Sequence, residues 1–218
     1  MAKQLLIISC IFLFTCSMRT NTKESFEGVL TYKITFTPKS TNEKYNEYQR
    51  KKYGDTLNLY ISENGAFRRE YPTSGEMGFD YYIYSAQENK AYLKWRNQDT
   101  LTPFDCSKNT LKLKSETEKP VQTIHGAACK GYCIKMVDSM GRPPQVAILT
   151  YYYPSNKEYI DPSIYKNHNE FFYNKIMNKI QAPYYKYILD MGKYEIEFEL
   201  VKIEKKKLDE GMFKISIK

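Results

Sequence analysis

The chain has 218 residues, with 33 Lys and Arg against 25 Asp and Glu, a formal charge of +8, and 21 Tyr among its aromatic residues. So many aromatics exclude a disordered chain, and 10 Gly and 9 Pro exclude collagen-like and low-complexity classes. The length suits one domain with a real core.

Residues 1–16 read as a signal peptide. Lys3 supplies the positive end, and Leu5 to Phe14 is an apolar run too short to cross a bilayer but sized for a secretory signal. Leu13-Phe14-Thr15-Cys16 has the pattern of a bacterial lipobox, which predicts acylation of Cys16 and a membrane anchor. Ordinary cleavage near Ser17 is the alternative. Residues 17–25 read as a flexible tether, and residues 26–218 as a single domain. The expected address is therefore the Gram-negative periplasm or outer membrane.

The mature chain opens on a strand. Leu30, Tyr32, Ile34 and Phe36 alternate with Thr31, Lys33, Thr35 and Thr37, the period of a half-buried strand. Residues 41–53 are polar and predict a short exposed helix or a long loop. Leu57, Leu59 and Ile61 alternate, then Asn64-Gly65 predicts a type I′ turn leading into residues 66–71. Phe79 to Tyr84 and Ala91 to Arg96 form the next pair of strands. Thr110 to Lys114 is a short strand. Cys129 to Val137 and Val146 to Tyr153 form another pair, as do Ala182 to Leu189 and Tyr194 to Ile203. In the last of these the apolar parity flips after Leu200, which predicts a bulge there. Asp161-Pro162 reads as a cap and first turn of a helix running to about Ile180 or breaking near Asn174. Met212 to Ile217 predicts a final strand. The fold class is therefore mostly β (α+β): one curved antiparallel sheet of about 10–11 strands, with one or two helices on its concave side.

Several short motifs bear a resemblance. Phe26, Gly28 and Tyr32 follow the signal, and Ile124, Gly126 and Cys129 come midway. The Tyr-rich strand Ala147 to Tyr153 comes next, and Leu208, Asp209 and Phe213 lie near the end. Together they resemble secreted or lipidated envelope proteins of unknown function with the fold of the LolA-like lipoprotein carriers. The resemblance implies a curved antiparallel half-barrel with helices in its concave side. It implies no activity.

The exported address permits a disulfide. If 129–133 is a strand, Cys129 and Cys133 lie about 13 Å apart, too far to pair. The expected bridge joins Cys106 to Cys129, with Cys133 the alternative partner; three free buried thiols are the competing arrangement. His125, Cys129 and Cys133 have the spacing of a metal face only if helical, and the glycines around them argue against that, so no metal is expected. None of the common hydrolase, metalloprotease or phosphate-loop motifs is present. His168 reads as a packed residue. The row Glu195, Glu197 and Glu199 reads as a solvated strand face. Tyr81, Tyr84, Trp95 and Tyr152 are candidates for a sugar platform.

The basic residues are spread, as Arg50-Lys51-Lys52, Arg68-Arg69 and Lys205-Lys206-Lys207. Export argues against nucleic acid. The leading expectation is a non-enzymatic envelope lipoprotein that binds a lipid or other apolar ligand, or an envelope partner, without a cofactor. Two alternatives differ in kind. A carboxylate-based carbohydrate-active hydrolase needs two converging carboxyl groups. A structural or interaction module needs an exposed Tyr patch.

Overall fold

The computed structural model describes residues 24–138, 145–155 and 158–215. The signal peptide, Cys16 and most of the tether lie outside the described residues, as does Ile217. Eleven strands form one antiparallel sheet: β1 (Gly28–Pro38), β2 (Thr56–Ile61), β3 (Phe67–Glu70), β4 (Phe79–Ser85), β5 (Lys90–Trp95), β6 (Leu101–Asp105), β7 (Leu111–Ile124), β8 (Ala127–Asp138), β9 (Gln145–Pro154), β10 (Lys186–Asp190) and β11 (Tyr194–Lys205). Their order is β6-β5-β4-β3-β2-β1-β11-β10-β9-β8-β7. Two meanders thus meet where the first strand pairs with the last.

The order also demands curvature. β6 and β7 are the two free edges, yet they are consecutive in the chain and joined by residues 106–110 alone. Such a link reaches at most about 20 Å. In a flat sheet the same edges would stand about 48 Å apart, ten strand spacings. The sheet is therefore rolled until its edges approach one another, without closing into a barrel.

Alternation sets the faces. Leu30, Tyr32 and Ile34 of β1 are buried, as are Leu57, Leu59 and Ile61 of β2 and Ile196, Phe198 and Leu200 of β11. The bulge expected at Leu200 is present: Thr31 pairs with Lys202 and Tyr32 with Leu200, so Val201 is the extra residue. Residues 41–53 do form a helix, α1 (Glu43–Tyr53). Asn42 caps it by accepting from the Tyr45 N–H at 3.0 Å, and Gly54 at φ +69° ends it. Its last residue, Tyr53, packs edge-on against Tyr71, Phe79 and Phe198 on the inner face.

Three expectations need correction. The turn at Asn64-Gly65 is a longer loop in which only Gly65 has positive φ, because the strands end at Ile61 and Phe67. Positive φ at both central residues occurs instead at His125-Gly126, in the tight turn between β7 and β8. The helix from Asp161 is broken into a 3-10 turn Pro162–Tyr165, a second one Glu170–Phe172, and α2 (Tyr173–Ile180). The break falls at Phe171 and Phe172, both at positive φ, rather than at Asn174. The final strand is a 3-10 turn, Glu210–Phe213, because the Asp209 carboxylate captures the Gly211 N–H at 2.8 Å.

Two elements exceeded the sequence reading. β6 was unforeseen, since Pro103 lies within it; an edge strand tolerates the missing N–H. β7 runs far beyond Lys114, with most of its residues exposed and with Pro120 and two register shifts along it.

Candidate functional site

The rolled sheet, α1 and the 162–180 segment enclose a cavity of about 410 Å³. Its walls come from both halves of the sheet. Phe67, Tyr82, Leu93 and Phe104 belong to β3–β6; Leu149, Tyr151, Tyr187, Leu189 and Phe198 belong to β9–β11. Side chains on strands that distant in the sheet order share one cavity only because the sheet curls. Tyr53 and Lys52 of α1 close one part of it, and Phe171 and Tyr173 close another. A volume of this size, with mostly aromatic walls, is ordinary for a small-molecule site. A larger open cleft of about 1020 Å³ lies between residues 62–66, 85–88 and 207–215. Its lining is charged, with Glu27, Glu63, Glu88, Glu210, Lys207 and Lys214. We take the smaller, aromatic cavity as the candidate site.

Much of the tyrosine is committed here. Tyr187 stacks on Tyr151 at 4.8 Å and on Phe198 at 5.3 Å, and Tyr184 meets Tyr151 at 5.4 Å. Burial raises the phenol pKa values of Tyr71, Tyr151 and Tyr187, while Arg69 pulls them the other way. They remain neutral hydrogen-bonding groups at physiological pH. Beneath the cavity, buried hydroxyls find carbonyls: Tyr32 donates to Tyr184 at 2.7 Å and Tyr165 to Gly65 at 2.9 Å. Among the described residues Tyr48 is the one tyrosine among the exposed large apolar side chains.

Four polar groups reach the cavity. Arg69 projects inward from β3, beside Phe67. Its guanidinium carbon lies 5.3 Å from the Phe67 ring and 5.8 Å from the Tyr82 ring, and its Nη2 donates to the Tyr184 hydroxyl at 3.3 Å. Lys52 lies over the Phe79 ring at 4.6 Å, and burial lowers its pKa. Glu170 accepts from the Tyr82 hydroxyl at 3.2 Å and the Cys106 thiol at 3.6 Å. His168 stands with Nε2 3.7 Å from the same carboxylate oxygen and stacks on Tyr84 at 4.4 Å. Burial lowers its pKa, so the imidazole is neutral at neutral pH.

Cys106, His168 and Glu170 offer three ligand atoms within 4.8 Å of one another. The cluster is the one place among the described residues where a metal ion has such a donor set. It is also closed by its own hydrogen bonds. Burial, then Glu170, pushes the Cys106 thiol up to about 12, so the sulfur holds its proton and donates it to the carboxylate. Residues 106, 168 and 170 are remote in sequence, and no local spacing announces the cluster.

The residues singled out from sequence are dispersed. Cys106, Cys129 and Cys133 are all buried. Cys106 follows edge strand β6, whereas Cys129 and Cys133 lie on β8, far along the sheet order. His125 is a turn residue. Glu195, Glu197 and Glu199 face outward and pair with Lys39 at 3.0 Å and with Lys186 at 2.8 and 3.3 Å. Among the described residues Glu170 is the one carboxylate lining the cavity, where a glycosidase would need two. The sugar platform is divided. Tyr81 lies outside under Arg68 at 4.2 Å, and Tyr152, on the face of β9 opposite Tyr151, is buried against Gly131. Tyr84 is fully buried, and Trp95 packs on Phe79 at 4.8 Å. Arg69 was missed as a site residue; its signal was parity, because it shares a strand face with Phe67.

No protein-family model and no curated protein matches the sequence. Solved structures similar to the chain include two that bear on the fold. One is the lipoprotein LppX of Mycobacterium tuberculosis, at 10% identity over 84% of this chain and 89% of that one, with a TM-score of 0.37. The other is a LolA superfamily protein of Nitrosomonas europaea, at 6% identity over 88% and 93%, with a TM-score of 0.34. The second bears the family name that the sequence motifs resemble. At these scores neither likeness carries an argument about function, and the site has to be read from its own residues.

Proposed function

We propose that the chain is an exported envelope protein, anchored through an acylated Cys16, that holds an apolar or lipid-like molecule inside its rolled sheet without transforming it. The observation that carries this reading is the aromatic cavity of about 410 Å³. Side chains of a folded core ordinarily fill such space, because packing densities approach those of organic crystals. Here both halves of the sheet present rings to the same gap. An occupant would bury those rings and gain roughly 25 cal/mol per Å² of apolar surface removed from water.

Native mass spectrometry of protein extracted from its own membrane tests the reading. A co-purifying lipid of constant mass is the expected result. A protein that emerges ligand-free, and that fails to bind a neutral apolar dye once purified, would dismiss it. Intact mass of the membrane fraction tests the anchor separately: an unmodified chain starting at Met18 or later would remove the lipoprotein claim and leave the cavity untouched.

A further inference from the structure

β3 carries the sequence Phe67-Arg68-Arg69-Glu70, and strand alternation sends its two arginines to opposite faces. Outside, Arg68 is matched: its Nε lies 2.6 Å from Glu70 Oε1, and its Nη1 donates to the Met212 carbonyl at 3.1 Å. Inside, Arg69 is not. No carboxylate lies within ion-pair distance of it among the described residues, and its Nε has no hydrogen-bond partner. Its hydrogen-bonding partners are neutral, the Tyr184 hydroxyl at 3.3 Å and the Tyr71 hydroxyl, and they do not answer all five donor hydrogens. An arginine cannot escape by losing its proton. Burying it this way is unfavourable unless something anionic arrives.

The other charged groups of the cavity do not supply that anion. Glu170 already serves the Tyr82 hydroxyl, the Cys106 thiol and His168. With His168 neutral, the lining carries Arg69 and Lys52 against Glu170, a net charge of +1. The Phe67 and Tyr82 rings lie against the guanidinium. That is the geometry in which arginine presents an in-plane fork to a planar or tetrahedral oxyanion.

We propose that the molecule held in the cavity is an amphiphile with one oxyanion head, a carboxylate or a phosphate, seated on Arg69 with its hydrocarbon part against the aromatic walls. This rests on the reading of the cavity as a ligand site and adds the chemistry of the ligand. A neutral lipid leaves Arg69 unmatched in a site from which the lipid has removed water; an anionic head completes it.

Displacement of bound Nile red from the purified, delipidated full chain provides the test. Dodecanoate, dodecyl phosphate and dodecanol are compared below their micelle concentrations, so that only the head group differs. At least one of the two anions is expected to compete at a tenfold or more lower concentration than the alcohol, equivalent to about 1.4 kcal/mol. Which anion wins distinguishes a fatty-acid-like from a phospholipid-like head. The substitution Arg69→Gln is expected to bring the anions to the level of the alcohol. If that variant does not fold, the ratio in the unaltered protein still decides. Equal competition by all three amphiphiles would overturn the anionic head and leave the cavity reading standing. No binding of Nile red or of any amphiphile would overturn the cavity reading itself.

Discussion

Gly131 offers a sharp test of how β8 is packed. A Cβ built there would lie 2.5 Å from Lys119 Cβ on β7 and 2.8 Å from Tyr152 Cε1 on β9. The first neighbour is anchored directly to its own backbone and cannot rotate away. The second is held across the glycine by its hydroxyl, which accepts from Gln122 Nε2 at 3.0 Å. Gly131→Ala must therefore spread the β7–β8 pair or expel the Tyr152 ring. Three magnitudes compete. Alanine is favoured over glycine inside a strand by roughly 0.5–1 kcal/mol. Overpacking costs about 1–3 kcal/mol. Losing the Gln122–Tyr152 hydrogen bond adds about 1 kcal/mol. The steric terms win, for a net loss of about 2 kcal/mol. In a domain of this size each kcal/mol moves the midpoint by roughly 2–4 °C, so Tm should fall by about 4–8 °C. Thermal and urea denaturation should agree, with an unchanged urea slope. In a Tyr152→Ala background the same substitution should cost less, because one of the two clashes is gone. A Gly131→Ala protein as stable as its parent would refute the close approach.

Other outcomes follow from the interior. Leu189→Trp, on the inner face of β10, should fill part of the cavity and weaken apolar-dye binding at least tenfold; a variant that folds and still binds dye at parental affinity would place the ligand elsewhere. Tyr165→Phe removes the buried hydrogen bond to Gly65 O and should lower stability by about 1–2 kcal/mol, read by urea denaturation; an unchanged midpoint would show that the carbonyl finds another donor. The Cys106 thiol, raised from an ordinary 9.0 to about 12, favours the folded state while protonated. That contribution is complete below about pH 9 and is lost as pH rises towards 12. The buried phenols shift in the same direction, so Tm should decline through this window, and a flat profile would contradict it. Below pH 9 the same burial should keep Cys106 unreactive to a thiol reagent until the protein is denatured.

Period-two alternation makes most of the sheet legible in the sequence, because a half-buried strand has to sort its residues by face. The bulge beside Leu200 was visible for the same reason: Tyr194 to Leu200 keep one parity and Ile203 takes the other. β7 was truncated in the sequence reading because Ser115 to Gln122 are exposed, so neither face needs to be apolar. The helix break at Phe171 and Phe172 was invisible, since apolar residues continue at helical spacing straight through it. The site was legible only in its composition. Surplus tyrosine was readable as sheet-building material, but which rings converge depends on curvature, and curvature depends on which edges the chain connects. Arg69 was grouped with surface charge beside Arg68, although its partner in phase is Phe67.

The five residues between Asp105 and Leu111 act as a leash across the slit between the free edges. Packing can yield to an incoming guest, but covalent bonds cannot, and the leash caps the gape there at about 20 Å. Cys106 starts that leash, and its carbonyl is gripped by the N–H groups of Asn169 and Glu170 at 2.7 and 3.1 Å. Widening the slit therefore pulls directly on the segment that carries His168 and Glu170 into the cavity. Gape and lining are mechanically coupled, and inserting residues into the leash should change the largest guest accepted without altering a single ring in the wall.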